Sequence, residues 1–203
     1  VALKMLAGHG RIPDKYMLPL MVHEHREVRN AALQVVPEES NPALAVLLTD
    51  IVQQGSQPTR VQAVRALAKT VPQRVGQVLR PYFEDSDPEV CMTAIELAIL
   101  KETDAVAQSR FDVLLAERGT MSTAWKRALA QLIGALDREE HDHILLELID
   151  DENIEVQKLA IRAAGREQVE LYVPSLLKGL ENRQLRLDAQ DALVAYGNKV
   201  VTA

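Results

Sequence analysis

The sequence predicts an all-α fold, namely an α-α superhelix (a solenoid) of about six helical hairpins. A similar helix opening recurs along the chain, as EHREVRNAALQVV, DSDPEVCMTAIELA and DENIEVQKLAIRAA. No segment shows the alternation of apolar and polar residues that a half-buried strand requires. Aromatic residues make up only 3% of the chain, although 47% of the residues are hydrophobic. We therefore expect Ala, Leu and Val to fill a core between closely approaching helices, since few large rings are available.

Six copies of the motif set the period of the repeat. We call the first core residue of each copy its anchor. Core positions four, five, seven and eight residues after each anchor hold small or aliphatic residues, with Gln190 as the one exception. These offsets lie on one widened stripe of a helix, and regular spacing of the anchors is typical of a repeat array. The anchors are Val28, Thr59, Val90, Trp125, Val156 and Leu185, spaced by 31, 31, 35, 31 and 29 residues.

A second helical segment precedes each motif and supplies the first helix of its hairpin. Asn41 is expected to cap the first helix that starts at Pro42. Pro19, Pro81 and Pro174 are expected to kink or break first helices. Gly8 and Gly197 are expected to close second helices. The sequence thus predicts a single array over residues 1–203, with repeats at about 12–37, 41–70, 73–101, 104–136, 139–166 and 168–197.

The ends of the array carry no polar capping repeat, which a complete solenoid usually has. We therefore expect a fragment of a longer protein that continues in both directions. The formal net charge of −6 argues against a nucleic-acid partner, because such binding relies on clustered Lys and Arg. No apolar run reaches the roughly 18 residues of a membrane span, so we expect no direct membrane insertion by this segment. The one cysteine, Cys91, excludes an internal disulfide and suits a reducing compartment.

The repeated motif, V-R-x-x-A-x-x-A-L after an acidic or proline-bearing turn, resembles the HEAT repeat. Arg29, Arg60 and Arg186 follow their anchors as in that family. Lys126 keeps the charge, whereas Cys91 and Gln157 depart from the pattern. The resemblance covers nearly the whole chain and implies a superhelix whose second helices line a concave surface.

A narrower resemblance concerns the closing segment DAQDALVAYGNKVV. It is similar to the ends of repeats in bacterial ATP/ADP translocase-like membrane proteins, which join a transporter region to a long HEAT array. This resemblance implies a cytoplasmic region tethered to the inner membrane through its parent protein. The transporter's own residues would lie outside this chain, so none is carried over.

The concave surface is where the HEAT resemblance implies partner binding. The residues that we expect to contribute there are Arg65, Glu96, Arg162 and Arg166. The expected partner is another protein or another domain of the same polypeptide. Acidic residues on the second helices, together with the negative net charge, make DNA an unfavourable occupant.

Two histidine clusters in the sequence are candidate metal sites. His23, Glu24 and His25 lie at the first hairpin turn, where a solvated polar turn is the favoured interpretation. In the segment EEHDH, Glu139 and His143 are four residues apart and are expected to share a helix face, but no third ligand is nearby in sequence. Acidic residues in a first turn are explained by the helix dipole. We therefore expect no metal and no cofactor.

An enzyme of HEAT architecture, either a metal-dependent hydroxylase or a bilin lyase-like protein, is the alternative. HEAT-type iron hydroxylases carry paired His-Glu dyads, whereas this chain has a single dyad. The alternative would require a metal held by His23, His25, His141 or His143. The chain shows no Ser-His-Asp order, glycine-rich phosphate loop or CxxC motif. A non-catalytic scaffold for protein–protein or interdomain interaction is therefore the favoured function.

Other conspicuous residues have structural interpretations. The Arg after each anchor is expected to pair with an acidic residue of the neighbouring repeat turn, rather than with a phosphate or an acidic partner. Trp125 is expected to pack in the core, and Cys91 has no neighbouring base that would activate its thiol. The acidic residues available for the Arg pairs are Glu27, Asp85, Asp87, Asp151 and Glu155.

Overall fold

The computed structural model describes residues 12–136 and 138–197, and these residues form helices and turns without any strand. In chain order the described helices form six successive pairs, which we call hairpins, and in five of the six the two helices pack against each other, so the predicted all-α class is confirmed. Each hairpin consists of a first and a second helix. The pairs are α1 Asp14–Met21 with α2 Arg26–Gln34, α3 Pro42–Gln54 with α4 Gln57–Thr70, α5 Val75–Leu79 with α6 Pro88–Glu102, α7 Ala105–Glu117 with α8 Thr123–Leu136, α9 Asp142–Ile149 with α10 Ile154–Glu167, and α11 Val173–Glu181 with α12 Arg186–Tyr196.

The second helices begin at or near the anchors. Five of them start two residues before the anchor, and α12 starts one residue after Leu185. Nearly all core positions of the motif are buried, including every such position in α4, α8 and α10. Val35, Leu97 and Leu193 are partly exposed and Gln190 is exposed. The core that the sequence template predicts is therefore confirmed almost position by position.

Local side chains define several helix ends. The Asn41 side chain accepts the Leu44 N–H at 3.0 Å and caps α3, as expected. Asp87 and Asn153 cap α6 and α10 in the same way. Gly197 ends α12 with φ +55°, in the left-handed region that glycine favours. Gly8 lies outside the described residues.

Of the three prolines expected to kink or break first helices, only Pro81 coincides with a break, since α1 continues past Pro19 and Pro174 lies in the first turn of α11. Pro19 lies inside α1, Pro81 lies in the 3₁₀ turn Arg80–Tyr82 that follows the five-residue α5, and Pro174 is the second residue of α11. Further 3₁₀ turns occupy Arg118–Thr120, Glu139–His141 and Glu170–Tyr172. The second helices carry no internal proline, which leaves their hydrogen-bond ladders intact.

The chain divides into two compact units, residues 1–114 and 115–203. In the first unit α2 contacts α4, and α4 contacts α6. In the second unit α8 contacts α10, and α10 contacts α12. Within each unit, second helices of successive hairpins thus pack side by side.

Two glycines allow the second helices of the second unit to approach closely. A Cβ added at Gly134 on α8 would lie 2.4 Å from the Cβ of Ala163 on α10. A Cβ added at Gly165 on α10 would lie 2.7 Å from the Cα of Ala192 on α12. Both distances are shorter than any carbon–carbon contact, so only glycine fits between these backbones.

Candidate functional site: the outer face of the second helices

Side chains at positions two, six and ten after each anchor follow one side of the second helix, because they are spaced by four residues, except that Glu38 lies in the turn beyond the end of α2. Most of them are partly or fully exposed. We call these residues the second-helix face of their unit. In the first unit they are Asn30, Gln34, Glu38, Val61, Arg65, Lys69, Met92, Glu96 and Leu100, and in the second unit they are Arg127, Gln131, Ala135, Lys158, Arg162, Arg166, Leu187, Asp191 and Ala195.

Polar contacts join neighbouring hairpins across this face in the first unit. Arg65 Nη1 lies 3.5 Å from Glu96 Oε1 and so joins α4 to α6. Lys69 Nζ donates to the Gln34 carbonyl oxygen at 3.0 Å. The Lys101 ammonium binds the Glu38 carboxylate. The hydrogen bond from Lys101 is the main cause that lowers the pKa of Glu38, and the charge of Lys69 adds to it.

A groove of about 270 Å³ lies beside these contacts in the first unit. Its wall combines apolar side chains with three cationic groups, so it offers both hydrophobic contact and charge to a bound segment. The residues that line it are Leu33, Gln34, Glu38, Gln62, Arg65, Lys69, Leu97 and Lys101.

The second-helix face of the second unit is richer in cations. Arg162 Nε donates to Asp188 Oδ1 at 2.6 Å, and Lys158 Nζ donates to Glu155 Oε1 at 2.9 Å. The Lys158 hydrogen bond is the main cause that lowers the pKa of Glu155. Arg127 and Arg166 are exposed, and neither forms a hydrogen bond or an ion pair with any residue in the described ranges.

The structure has Arg65 and Glu96 on the second-helix face of the first unit, and Arg162 and Arg166 on that of the second unit. It brings Arg65 and Glu96 together as an ion pair, and it pairs Arg162 with Asp188. Arg166 lies one turn beyond Arg162 on α10. The sequence interpretation missed Lys69, Lys101 and Lys158. The offsets of two and ten residues from the anchors would have found Lys158 and Lys69, whereas Lys101 enters only through helix packing.

The residue after each anchor has a role that the sequence interpretation did not foresee. In five of the six hairpins its side chain donates to a main-chain carbonyl at or just beyond the end of the first helix of its own hairpin. The side chain thus satisfies a carbonyl that would otherwise lack an intrahelical partner. The donors and acceptors are Arg29 with the carbonyls of His23 and Glu24, Arg60 with Val52, Cys91 with Phe83, Gln157 with Asp151, and Arg186 with Leu180.

The expected pairing with an acidic residue of the neighbouring turn occurs in two hairpins. Arg60 Nη2 lies 2.5 Å from Asp85 Oδ2, and Lys126 Nζ lies 2.6 Å from Asp151 Oδ2. For Arg29 and Arg186 the expectation is wrong. Among the described residues, their side chains bind main-chain carbonyls and no carboxylate.

Neither histidine cluster assembles a metal site. The His23 and His25 rings lie 5.3 Å apart, and His23 Nδ1 accepts the main-chain N–H of His25. The expectation that Glu139 and His143 share a helix face is wrong, because Glu139 belongs to a 3₁₀ turn and α9 begins only at Asp142. Over residues 12–136 and 138–197, no three His, Cys, Asp or Glu side chains are grouped so that they could hold a metal ion.

Two further residues clarify the chemistry of the surface. Cys91 is fully buried, and burial raises the pKa of its thiol to about 12, so the thiolate nucleophile is strongly disfavoured. Trp125 is only partly buried, which differs from its expected place in the core. Trp125 is the third residue of α8, and the two residues before it are exposed.

Comparisons with known proteins leave the family undecided. No family model matches the sequence, and no curated protein matches it either. Each helix of the described segments is too short or too polar to cross a bilayer. The proposal below therefore rests on the geometry of the second-helix face together with the repeat motif.

Proposed function

We propose that this chain is a non-catalytic HEAT-repeat scaffold that binds another protein, or another domain of the same polypeptide, along its second-helix face. The observation that supports the proposal most directly is the set of side-chain pairs between successive hairpins. Arg65–Glu96 and Arg162–Asp188 each join two neighbouring second helices. Within each unit such a pair joins the polar side chains of successive repeats, as a docking surface for an extended partner requires.

The paired arginines are exposed enough to exchange their carboxylate within the chain for a group on a bound protein. Arg65 and Arg162 retain 43% and 60% of their side-chain exposure while paired. Ion pairs this exposed contribute only ~0–1 kcal/mol. A partner that offers carboxylates or carbonyls can therefore replace them at little cost, while the tightly packed helices beneath hold the surface in shape.

The proposed context is the cytoplasmic HEAT region of an ATP/ADP translocase-like membrane transport protein, tethered to the inner membrane through its parent. This part of the proposal is supported only by the resemblance of the segment 188–201. The complete open reading frame tests it. A reading frame without about ten apolar spans beside the repeats would contradict it, while leaving the scaffold proposal intact.

Site-directed photo-crosslinking tests the scaffold proposal. A photoreactive amino acid replaces Gln34 or Gln131 on the second-helix face, and Gln53 or Leu177 on first helices serves as the matched control, since all four are exposed. We expect crosslinks to one partner from the second-helix positions, followed by binding of that purified partner in calorimetry. Crosslinks from the first-helix positions alone would place the binding surface elsewhere.

The enzyme alternative has its own test. Purified protein is analysed for iron and zinc, and its visible spectrum is recorded after bilin pigments are added. A stoichiometric metal lost on substitution of His23 or His143, or a new pigment absorption band, would favour catalysis. Absence of both, combined with a crosslinked partner, supports the scaffold.

A further inference from the structure

One helix of the second unit carries a row of cations on its outer face. Lys158, Arg162 and Arg166 occupy successive turns of α10 at four-residue spacing, and we call these three residues the basic ridge. Arg162 and Arg166 are exposed and Lys158 is partly exposed. Because an α-helix rises about 1.5 Å per residue, the ridge is about 12 Å long.

Two of the carboxylates near the ridge already bind its cations. Glu155 binds Lys158, and Asp188 binds Arg162. The other acidic residue of α10, Glu167, accepts a hydrogen bond from the buried Tyr172 hydroxyl at 2.8 Å. Together with Arg127 on α8, the face therefore presents four cations against the three carboxylates of Glu155, Asp188 and Asp191, although the chain as a whole carries a net charge of −6.

We infer that the basic ridge and Arg127 bind an acidic segment of a partner protein, an inference that rests on the proposed scaffold function and specifies the partner's chemistry. Arg166 and Arg127, which form no hydrogen bond or ion pair with any described residue, supply guanidinium groups suited to carboxylates. An extended chain covers the 12 Å ridge in about four residues. Successive ridge cations lie about 6 Å apart, a distance that an extended chain spans in about two residues, so the matching segment carries Glu or Asp at about every second residue.

The arrangement favours a peptide over other polyanions. A nucleic acid presents closely spaced phosphates along its whole length, and some of them would meet the carboxylates of Glu155 and Asp188. An anionic membrane would meet the same two carboxylates across a flat surface. A peptide can place its few carboxylates opposite Arg127, Arg162 and Arg166 and leave uncharged residues opposite the two acids.

The second unit fits this occupant better than the first. In the first unit each of Arg65, Lys69 and Lys101 has a polar partner, and Glu38 and Glu96 neutralise two of them. The acidic segment is thus assigned to the second unit, and the groove of the first unit is left to other parts of the partner.

Fluorescence anisotropy tests the inference on the full chain. The probe is a fluorescein-labelled peptide with Glu at every second residue and Ala and Ser between, and its control peptide has Lys in place of Glu. We expect the Glu peptide to bind, the Lys peptide not to bind, and the affinity to fall as salt screens the charges. The double variant Arg162→Glu/Arg166→Glu should weaken binding about tenfold or more.

A matched variant controls for the change in net charge. Lys178→Glu/Arg183→Glu reverses two exposed cations outside the ridge in the same unit and should change the affinity less than about twofold. Arg127→Glu provides a second ridge-side variant should the double variant lose helix content by circular dichroism. The inference would be overturned if a folded ridge variant bound the Glu peptide as tightly as the wild type. It would also be overturned if the control variant lost as much affinity as the ridge variant.

Two further outcomes separate this inference from its alternatives. A DNA duplex or phosphatidylserine vesicles could bind more tightly than the Glu peptide and lose that binding in the same ridge variant. This result would overturn the peptide assignment in favour of another polyanion. Failure of the Glu peptide alongside crosslinks from Gln34 or Gln131 would overturn the acidic partner and leave the scaffold function standing. Crosslinks confined to first helices would overturn the scaffold function itself.

Discussion

Replacing Gly134 by Ala tests the close packing of α8 on α10. The added Cβ would lie 2.4 Å from the Cβ and 3.1 Å from the Cα of Ala163. Non-bonded carbons make their best contact at about 3.5–4.0 Å, so the two helices must separate locally by more than about 1 Å. The obstructing atoms belong to an alanine on a helix backbone, and no side-chain rotation can move them aside.

Two opposing effects set the magnitude. Ala is favoured over Gly in a helix interior by about 1 kcal/mol. Overpacking of a well-packed contact costs about 1–3 kcal/mol, and the fixed backbone here points to the upper end. We therefore expect Gly134→Ala to lower the free energy of unfolding by about 1–2 kcal/mol, although helix propensity alone predicts the opposite sign.

Urea denaturation followed by Trp125 fluorescence measures the effect, because the only tryptophan lies on the same helix. Gly119→Ala is the matched control, since its added Cβ meets nothing within 4 Å and stability should be unchanged or slightly raised. Ala163→Gly in the Gly134→Ala background should restore part of the loss. A Gly134→Ala protein as stable as wild type, with no coupling to Ala163→Gly, would refute the close approach of α8 and α10.

Three further outcomes follow from buried polar groups. Lys126→Met should lower the free energy of unfolding by about 1–3 kcal/mol in urea denaturation, because it removes the cation that pairs with Asp151, whose side chain is only 9% exposed. The control variant Lys178→Met removes a far more exposed ion pair and should lower the free energy of unfolding by less than about 0.5 kcal/mol. Burial, followed by its two carboxylate neighbours, raises the pKa of Tyr172, so the folded state holds the phenol proton more tightly. Stability should therefore fall as the pH rises above about 10, and less steeply in Tyr172→Phe; equal pH slopes would contradict this. Cys91, with its pKa raised to about 12, should react with a thiol reagent at neutral pH only after denaturant is added, and rapid labelling of the folded protein would show that it is accessible.

The sequence predicts the buried positions of the second helices much better than it predicts the bounds of the first helices. Their core positions depend on a local period, so the offsets from Val90 or Val156 mark the buried residues directly. The first residues of α9 and α11 are harder to predict, because the segments 139–141 and 170–172 form 3₁₀ turns. An acidic helix start and a 3₁₀ turn share the same residue types, so composition cannot separate them.

The second-helix face was predictable in its residues but not in its contacts. Arg65 and Arg162 could be placed on exposed turns by counting from their anchors. Their partners, Glu96 and Asp188, depend on how neighbouring helices are staggered, which only packing decides. The carbonyl acceptors of Arg29 and Arg186 were missed because every residue has a main-chain carbonyl, so the sequence gives no sign of which one lacks a partner. The HEAT resemblance and the translocase context stay predictions.

The donor that follows each anchor has a consequence for how such a chain can grow. In most hairpins the helix end that needs a hydrogen bond and the side chain that supplies it are encoded within the same stretch of about thirty residues. A duplicated or deleted stretch of that length therefore brings or removes its own capping group. Only ion pairs between neighbouring hairpins, such as Arg60–Asp85 and Lys126–Asp151, must be matched again at each new junction. Whole hairpins can therefore be gained or lost in the evolution of this architecture, and they can be added or removed by engineering.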